Sequence, residues 1–513
     1  MPLMRVPLEH YPGMSRFVLD WLRGDARATK FLPRSVWSDA RPGASSAAAG
    51  GHRSTVASAL IASNRRWGLF VKPQLEKWAS GESVTIVAGQ QTGFAGGPLY
   101  TLAKIATVLK MKRDLERAGT PVTVMFWLAT EDHDFDEVAQ LNVPVRTVSR
   151  DVSRQLDLLC VRASRSVESK VAVGGLPIPG PLVTELLALY ELERPPWLRE
   201  GITFGDSFAE LVASIFDGEV VLVDSLLPEL RRAGAGLFES IFKRWNDIEK
   251  TIGARSAELV ASGYPPQVVP REGESYSLLF ELDDHFERHL IDKPRNIDAP
   301  ERISTSALTR PLLQDLVLQP DIFVGGPAEV SYYAQITPLH EMLGVTTPRV
   351  ALRGHALVAP KRILRFIERY GIKPEELFTT PDELLAEREP EGVAKIRHEA
   401  DAAKRQLIKH IETIGEIALP AEHALARAIN RSIGHIEYHF GKLTERAIRG
   451  LVRKEKERYA AAKELLATLY PDGHVQDRVV AWFPYWLQYG RDLVEHMIEE
   501  IEPDAAAFGI IGL

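Results

Sequence analysis

Short, unbroken apolar runs alternate along the chain with apolar positions at 3/4 spacing, a strand-then-helix rhythm. Val84–Ala88 is the first run, and after a glycine-rich loop Pro98 opens a helical pattern through Leu99, Leu102, Ile105, Ala106, Leu109 and Leu115. Further runs follow at Val122–Ala129, at Val220–Val223 leading into Asp224, at Asp321–Val324 and at Thr347–Leu352. Runs without polar alternation, joined by helices, predict an α/β fold with a parallel sheet covered on both faces. The pattern changes at about 138–180 and 264–308, which read as insertions, the first of them antiparallel. Residues 1–80 read as mostly helical, with a loose loop over 41–51 and a helix over 54–79. Helices are also expected over 181–192 and 206–216, the latter with Asp206 as N-cap.

From about Glu383 the rhythm becomes purely helical. Val393, Ile396, Ala400, Ala403, Leu407, Ile411 and Ile414 form one seam. Leu425, Ile429, Ile433, Ile436, Phe440, Leu443, Ala447 and Leu451 form another, with Pro420 between them. Two such seams predict an antiparallel coiled-coil hairpin over 383–470, suited to homodimerisation. The tail, 471–513, carries VVAWFPYWLQYG, too aromatic to stay exposed, and is expected to return to the core formed by 81–380.

Composition narrows the partners. The chain has 513 residues, 45% hydrophobic and 26% charged, with a net charge of −7 and dispersed Lys and Arg, which gives no footing for nucleic-acid binding. No apolar run is long enough to cross a membrane, and MPLMRVPLEHYPG lacks the apolar core of a signal peptide. A single cysteine, Cys160, expected to be packed as an apolar residue, fits a reducing compartment. The expected location is cytoplasmic.

The candidate chemistry lies at the strand ends. Gly89, Gln90, Gln91, Thr92, Gly93, Gly96 and Gly97 form a loop before the first helix, with Tyr100 in its first turn. Strand, glycine loop and helix N-terminus together present backbone N–H groups to a phosphate or carboxylate. The spacing matches neither the dinucleotide nor the P-loop fingerprint. A second loop, Gly325-Gly326-Pro327-Ala328-Glu329, repeats this logic and is followed by Tyr332 and Gln335; Arg310 and Gln314 precede it by one strand. The second strand runs into Glu131-Asp132-His133-Asp134, which should share a crevice with the first loop. An imidazole flanked by carboxylates can be held in one tautomer and kept partly protonated, so His133, oriented by Asp132 or Asp134, is the candidate acid–base group. Lys104 is as readily a surface lysine as a ligand contact. His435 and His439 stand four apart on a helix without a third ligand, so no residue is assigned to a metal.

The stretches AGQQTGFAGGPLYTLAKI and FWLATEDHDFDEV, with YPPQV, RPLLQ and PDIFVGGPAEVSYYAQI further on, resemble the cysteine ligases of bacillithiol biosynthesis over nearly the whole chain. The resemblance implies a Rossmann-like core with two connecting insertions and a dimerising coiled-coil arm. It implies amide-bond formation between L-cysteine and glucosaminyl malate, the last step of bacillithiol synthesis, with ATP activating the cysteine carboxyl; apart from the resemblance, the Glu131–Asp134 segment offers oxygens that can bind Mg²⁺. It also implies a core like that of class I aminoacyl-tRNA synthetases, although neither HIGH nor KMSKS is present. Two alternatives stay open: a related ligase or nucleotidyltransferase with another amine acceptor, and a non-catalytic coiled-coil dimer that binds a nucleotide or thiol metabolite.

Overall fold

Five of the apolar runs become strands of one parallel sheet in the computed structural model, which describes residues 3–43, 52–148, 154–163, 170–270, 275–386, 392–418, 425–454 and 456–513. The strands are β1 (Val84–Gln90), β2 (Val122–Leu128), β3 (Val221–Asp224), β4 (Ile322–Gly325) and β5 (Arg349–Leu352). Their spatial order is β5-β4-β1-β2-β3, a Rossmann-like arrangement. Every residue of β2 and β4 is buried, because helices cover both faces, which is why these runs carry no polar alternation. The chain order reverses between β1 and β4, where Ile322 pairs with Ile86 and Phe323 with Val87. Helix α1 (Leu99–Arg117) follows β1, and α2 (Pro327–Leu343) follows β4.

The insertions flank this sheet. Gln140–Val148 and Arg154–Arg162 make a two-stranded sheet. Leu279–Leu282, Arg288–Ile291 and Ile303–Thr305 make a three-stranded antiparallel one. The tail strand Ala507–Gly512 pairs with Leu3–Pro7 and Ala356–Ala359, and Trp482 and Phe483 are buried.

Several expectations shift in detail. The helix expected over 54–79 is two, His52–Arg66 and Lys72–Ser80. Gly68 takes a positive φ between them, and Phe70 is left 77% exposed. The break leaves Asn64 free to clamp Leu222 of β3, accepting from its N–H at 2.9 Å and donating to its carbonyl at 2.7 Å. The helix Phe204–Phe216 is capped by Thr203, whose hydroxyl accepts the Asp206 N–H, so Asp206 is not the N-cap. Cys160 is exposed, contrary to the packed position expected, as its place on a two-stranded sheet leaves one face open. Most of the loop expected over 41–51 lies outside the described residues, as does Pro420.

By compactness the chain forms two units: 1–145 with 158–359 and 474–513, and 146–157 with 360–473. Within the second unit α3 (Val393–Ala418) and α4 (Leu425–Lys454) pack against each other. On α3, Val393 is buried and Ile396, Ala400 and Ile411 are half-buried, as the expected seam requires, while Ala403, Leu407 and Ile414 are exposed and Ile408 is half-buried where Leu407 was expected. On α4, Ile429, Ile433, Ile436, Phe440 and Ala447 follow the expected seam, but Leu443 is exposed.

Candidate active site

A cleft of about 900 Å³ opens at the carboxyl ends of the sheet strands, where the reversal of strand order leaves a crevice. Of the residues read from the sequence, Gly89, Gln90, Gln91, Tyr100, Glu131, Asp132, His133, Arg310, Gly326, Glu329 and Tyr332 line it. Gly89 leaves no room for a side chain, since a Cβ there would meet Trp127 Cβ at 2.8 Å.

The remaining expected residues are placed elsewhere, each for a physical reason. Thr92 is fully buried beneath the first loop. Gly93, Gly96 and Gly97 fold that loop onto the tail: Trp482 Nε1 donates to the Gly96 carbonyl at 2.9 Å, and the Leu99 N–H that begins α1 goes to the Val480 carbonyl at 2.8 Å. The tail therefore covers the α1 N-terminus that the sequence suggested for an anion. Asp134 is exposed and caps the short helix Phe135–Val138, accepting the Glu137 N–H at 3.1 Å. Gln335 is buried, its amide clamping the Val268 backbone in both directions. Gln314 is buried between Arg310 and Asp315. Gly325 lies under α2, where a Cβ would meet Glu329 Cβ at 2.8 Å.

One wall of the cleft is built on the second loop. Lys104, 3% exposed at its side chain, reaches up from α1 and donates to the Gly89 carbonyl at 2.7 Å, to Gln90 Oε1 at 3.1 Å and to the Glu329 carboxylate. Burial draws the Lys104 ammonium down from its ordinary value, against the pull of Glu329. Burial pushes the Glu329 carboxyl up, but Lys104, Arg310 and the Gly326 N–H outweigh it and hold it below the usual range. The Gly326 N–H bond to Glu329, at 2.7 Å, closes the start of α2. Beside it Arg310 donates to Gln314 and to the Tyr332 hydroxyl. Burial raises the Tyr332 phenol, so it stays protonated. Arg353 lies 5.6 Å from the Tyr100 ring centre and pairs with Asp477 at 3.2 Å.

The opposite wall carries the acidic segment, whose four neighbours in sequence take four separate tasks. Glu131, 4% exposed, accepts from Arg231 at 3.1 Å, Ser304 at 2.8 Å, and the Thr305 N–H and hydroxyl at 3.2 and 2.9 Å. It anchors the second insertion to the core, with its lone pairs committed. Asp132 accepts from Gln91 at 2.7 Å and from the His133 N–H at 2.7 Å. The His133 ring is held by Arg288, whose guanidinium donates to Nδ1 at 2.9 Å, whereas Asp132 stands 3.6 Å from that nitrogen. Burial and the Arg288 charge lower the His133 pKa, against the opposing pull of Asp132 and Asp134. The group that orients the ring is thus a guanidinium, not the neighbouring carboxylate expected from the sequence.

Arg288, Lys170, Arg353, Arg478 and Glu137 line the cleft without having been singled out from sequence. Arg288 lies in a hairpin whose alternation marks only a strand, and no local motif ties it to His133. Glu137 belongs to the quoted FWLATEDHDFDEV stretch and was readable there. Its carboxyl is raised by burial and, despite the Gln91 amide, by Asp134 and Asp132. Six cations (Lys104, Lys170, Arg288, Arg310, Arg353 and Arg478) face four carboxylates (Glu131, Asp132, Glu137 and Glu329). Glu131 is engaged by Arg231, Glu329 by Lys104, and Arg353 by Asp477, which leaves Lys170, Arg288, Arg310 and Arg478 against Asp132 and Glu137, so the cleft favours an anionic ligand. Outside it, Asp283, Glu287 and His289 offer ligand atoms within 4.8 Å of one another, but the Asp283 oxygens already take His285, Glu287 and His289 donors.

The fold and cleft define a Rossmann-like α/β protein with a polar, cation-rich crevice at the strand-order reversal. The chain belongs to the bacillithiol biosynthesis BshC family: the model of that family's N-terminal Rossmann-like domain matches residues 1–354, and that of its C-terminal coiled-coil domain matches 356–513. A protein of Solibacter usitatus named "Putative cysteine ligase BshC" is 29% identical over 84% of this chain and 84% of its own length. One of the same name from Koribacter versatilis is 28% identical over 96% of this chain and 97% of its own. Another from Symbiobacterium thermophilum is 29% identical over 88% of each. Among the described residues no helix is long and apolar enough to cross a membrane.

Proposed function

We propose that this chain is a cytoplasmic cysteine ligase that joins L-cysteine to the amine of glucosaminyl malate, forming a carbon–nitrogen bond. The family and the names of its relatives support the reaction class, and the cation excess in the cleft supports the substrate class. Glucosaminyl malate carries two carboxylates, and Arg310 and Arg478 offer guanidinium groups suited to such an anion. The same donors fit the phosphates of ATP, which as co-substrate supplies the driving force for amide formation. His133 and Asp132 stand on the facing wall, where a reacting carbonyl would be polarised by the imidazole N–H. The carrying observation is this crevice, in which cationic side chains outnumber carboxylates and an imidazole is anchored by Arg288.

Purified protein incubated with cysteine and glucosaminyl malate, with and without Mg-ATP, tests the reading by mass spectrometry of the products. Amide product only with ATP, accompanied by AMP or ADP, is expected. Absence of product in both conditions overturns it. The exposed Leu407, Ile414, Ile417, Tyr438 and Leu443 on the helical hairpin support a homodimer formed through that arm. Light scattering should then give twice the chain mass, and a monomer after Leu407, Ile414 and Leu443 are replaced by Gln; a monomeric parent overturns this.

A further inference from the structure

We infer that Arg288 is the positioning residue of the site: by donating to His133 Nδ1 it fixes the imidazole as a hydrogen-bond donor through Nε2, not as a proton acceptor. The inference rests on the ligase reading only for the reaction in which that donor is used; the fixed tautomer stands on geometry alone. An arginine has no acceptor atom, so a contact from its Nη1 at 2.9 Å requires an unprotonated Nδ1. A neutral imidazole with Nδ1 occupied then carries its proton on Nε2.

Arg288 has little freedom to release the ring. It is 6% exposed, its Nη2 donates to the Thr305 carbonyl at 2.6 Å, and its guanidinium carbon lies 4.1 Å from the Phe280 ring centre. Thr305 is in turn held by Glu131, two residues before His133. The backbone closes the same circuit: the Arg288 N–H donates to the Lys170 carbonyl at 3.0 Å, and the Val173 N–H to the Asp132 carbonyl at 2.6 Å. The inserted hairpin and the turn bearing His133 are therefore fastened together twice, through side chains and through main chain. The surroundings of the ring agree with the geometry, since burial, Arg288 and Lys170 together lower its pKa against the pull of Asp132 and Asp134.

A neutral Nε2–H donor suits an oxygen that gains negative charge during acyl transfer, where a pre-oriented donor needs no reorganisation. It is unsuited to taking a proton from an attacking amine. That task would fall to a carboxylate on the cleft, Asp132 or Glu137.

Nitrogen NMR of the full chain with ¹⁵N-labelled histidine tests this without substrate, with His133→Gln assigning the signal. At neutral pH, Nδ1 should resonate as an unprotonated nitrogen and Nε2 as a protonated one. Arg288→Met should give a mixed tautomer signal and a kcat about 10- to 100-fold lower, the usual range for losing such a supporting bond. Arg288→Lys, which keeps a cationic donor, should restore much of both. A protonated Nδ1 in the parent protein, or a tautomer unchanged in Arg288→Met, overturns the inference. The expected tautomers with no ligation by the parent protein leave it standing and remove the ligase reading instead.

Discussion

Gly96-Gly97-Pro98 and Gly325-Gly326-Pro327 are the same tripeptide leading into helices on the same sheet, yet one is sealed and the other open. In the first, both glycines take positive φ, +87° and +74°, and Pro98 stands at the N-cap of α1. In the second, Gly326 is the extended N-cap, φ −76° and ψ 176°, and Pro327 is the first helical residue of α2. The first loop is used up by packing: Trp482 lies on Gly96, and Val480 takes the first N–H of α1. The second faces the cleft through Gly326, Pro327, Ala328 and Glu329. Identical residues thus serve chain packing in one place and line the cleft in the other. What separates them is a segment almost four hundred residues downstream.

The largest expected effect follows from the sealed loop. A Cβ at Gly96 would stand 2.6 Å from three atoms of the Trp482 ring, on a backbone with φ +87°. Overpacking and left-handed strain each cost about 1–3 kcal/mol, so Gly96→Ala should lower stability by about 4 kcal/mol. A urea melt that places the variant within about 1 kcal/mol of the parent breaks the claim that this loop is structural.

Much of this was legible before any coordinates. Buried runs such as VTVMFWL specify a strand covered on both faces, and two strand-end loops specify a shared crevice, because both depend on local pattern. The return of the aromatic tail was legible too, since Trp482 and Phe483 have no place in water. Its destination was not, because nothing near Val480 encodes that its carbonyl meets Leu99. The acidic segment shows the same limit. Glu131, Asp132, His133 and Asp134 read as one cluster, but a turn sends adjacent side chains in different directions. Only the fold reveals that Glu131 is an anchor, Asp134 a helix cap and Arg288 the partner of His133. A hydrogen bond formed across 155 residues leaves no periodic trace.

An intermediate effect is expected where the two loops meet. Lys104, from the helix of the sealed loop, ties the Gly89 carbonyl to Glu329 of the open one. Lys104→Met leaves the Glu329 carboxylate, 20% exposed at its side chain, without its main partner, and should cost about 3 kcal/mol. The pH dependence has a definite sign. Glu329 titrates below its ordinary value of 4.5 in the folded protein, so its contribution is present above that pH and lost as pH falls through the depressed value. The stability gap between parent and Glu329→Gln should therefore narrow on acidification from pH 5 towards pH 3. A gap that is constant or widening would remove the ion pair from the account.

The smallest effect on stability, and the sharpest contrast, is expected at Gly326. A Cβ there meets only Glu329 Oε2 at 3.5 Å and Arg353 Nε at 3.8 Å, both ordinary contacts, on a backbone any residue adopts. Gly326→Ala should change stability by no more than about 0.5 kcal/mol, and a slight gain is reasonable because the unfolded chain loses freedom. The added methyl nevertheless projects towards Glu329 and Arg353 on the cleft lining, where the proposed ligand would approach. Its cost should appear in KM for glucosaminyl malate or ATP, with kcat and the melt little changed. Paired melts and kinetics of Gly96→Ala and Gly326→Ala therefore separate the two uses of one tripeptide. If Gly326→Ala unfolds as readily as Gly96→Ala, both loops are packing devices and the open wall is not a ligand surface. If it binds and turns over like the parent, the ligand lies elsewhere in the cleft, nearer His133.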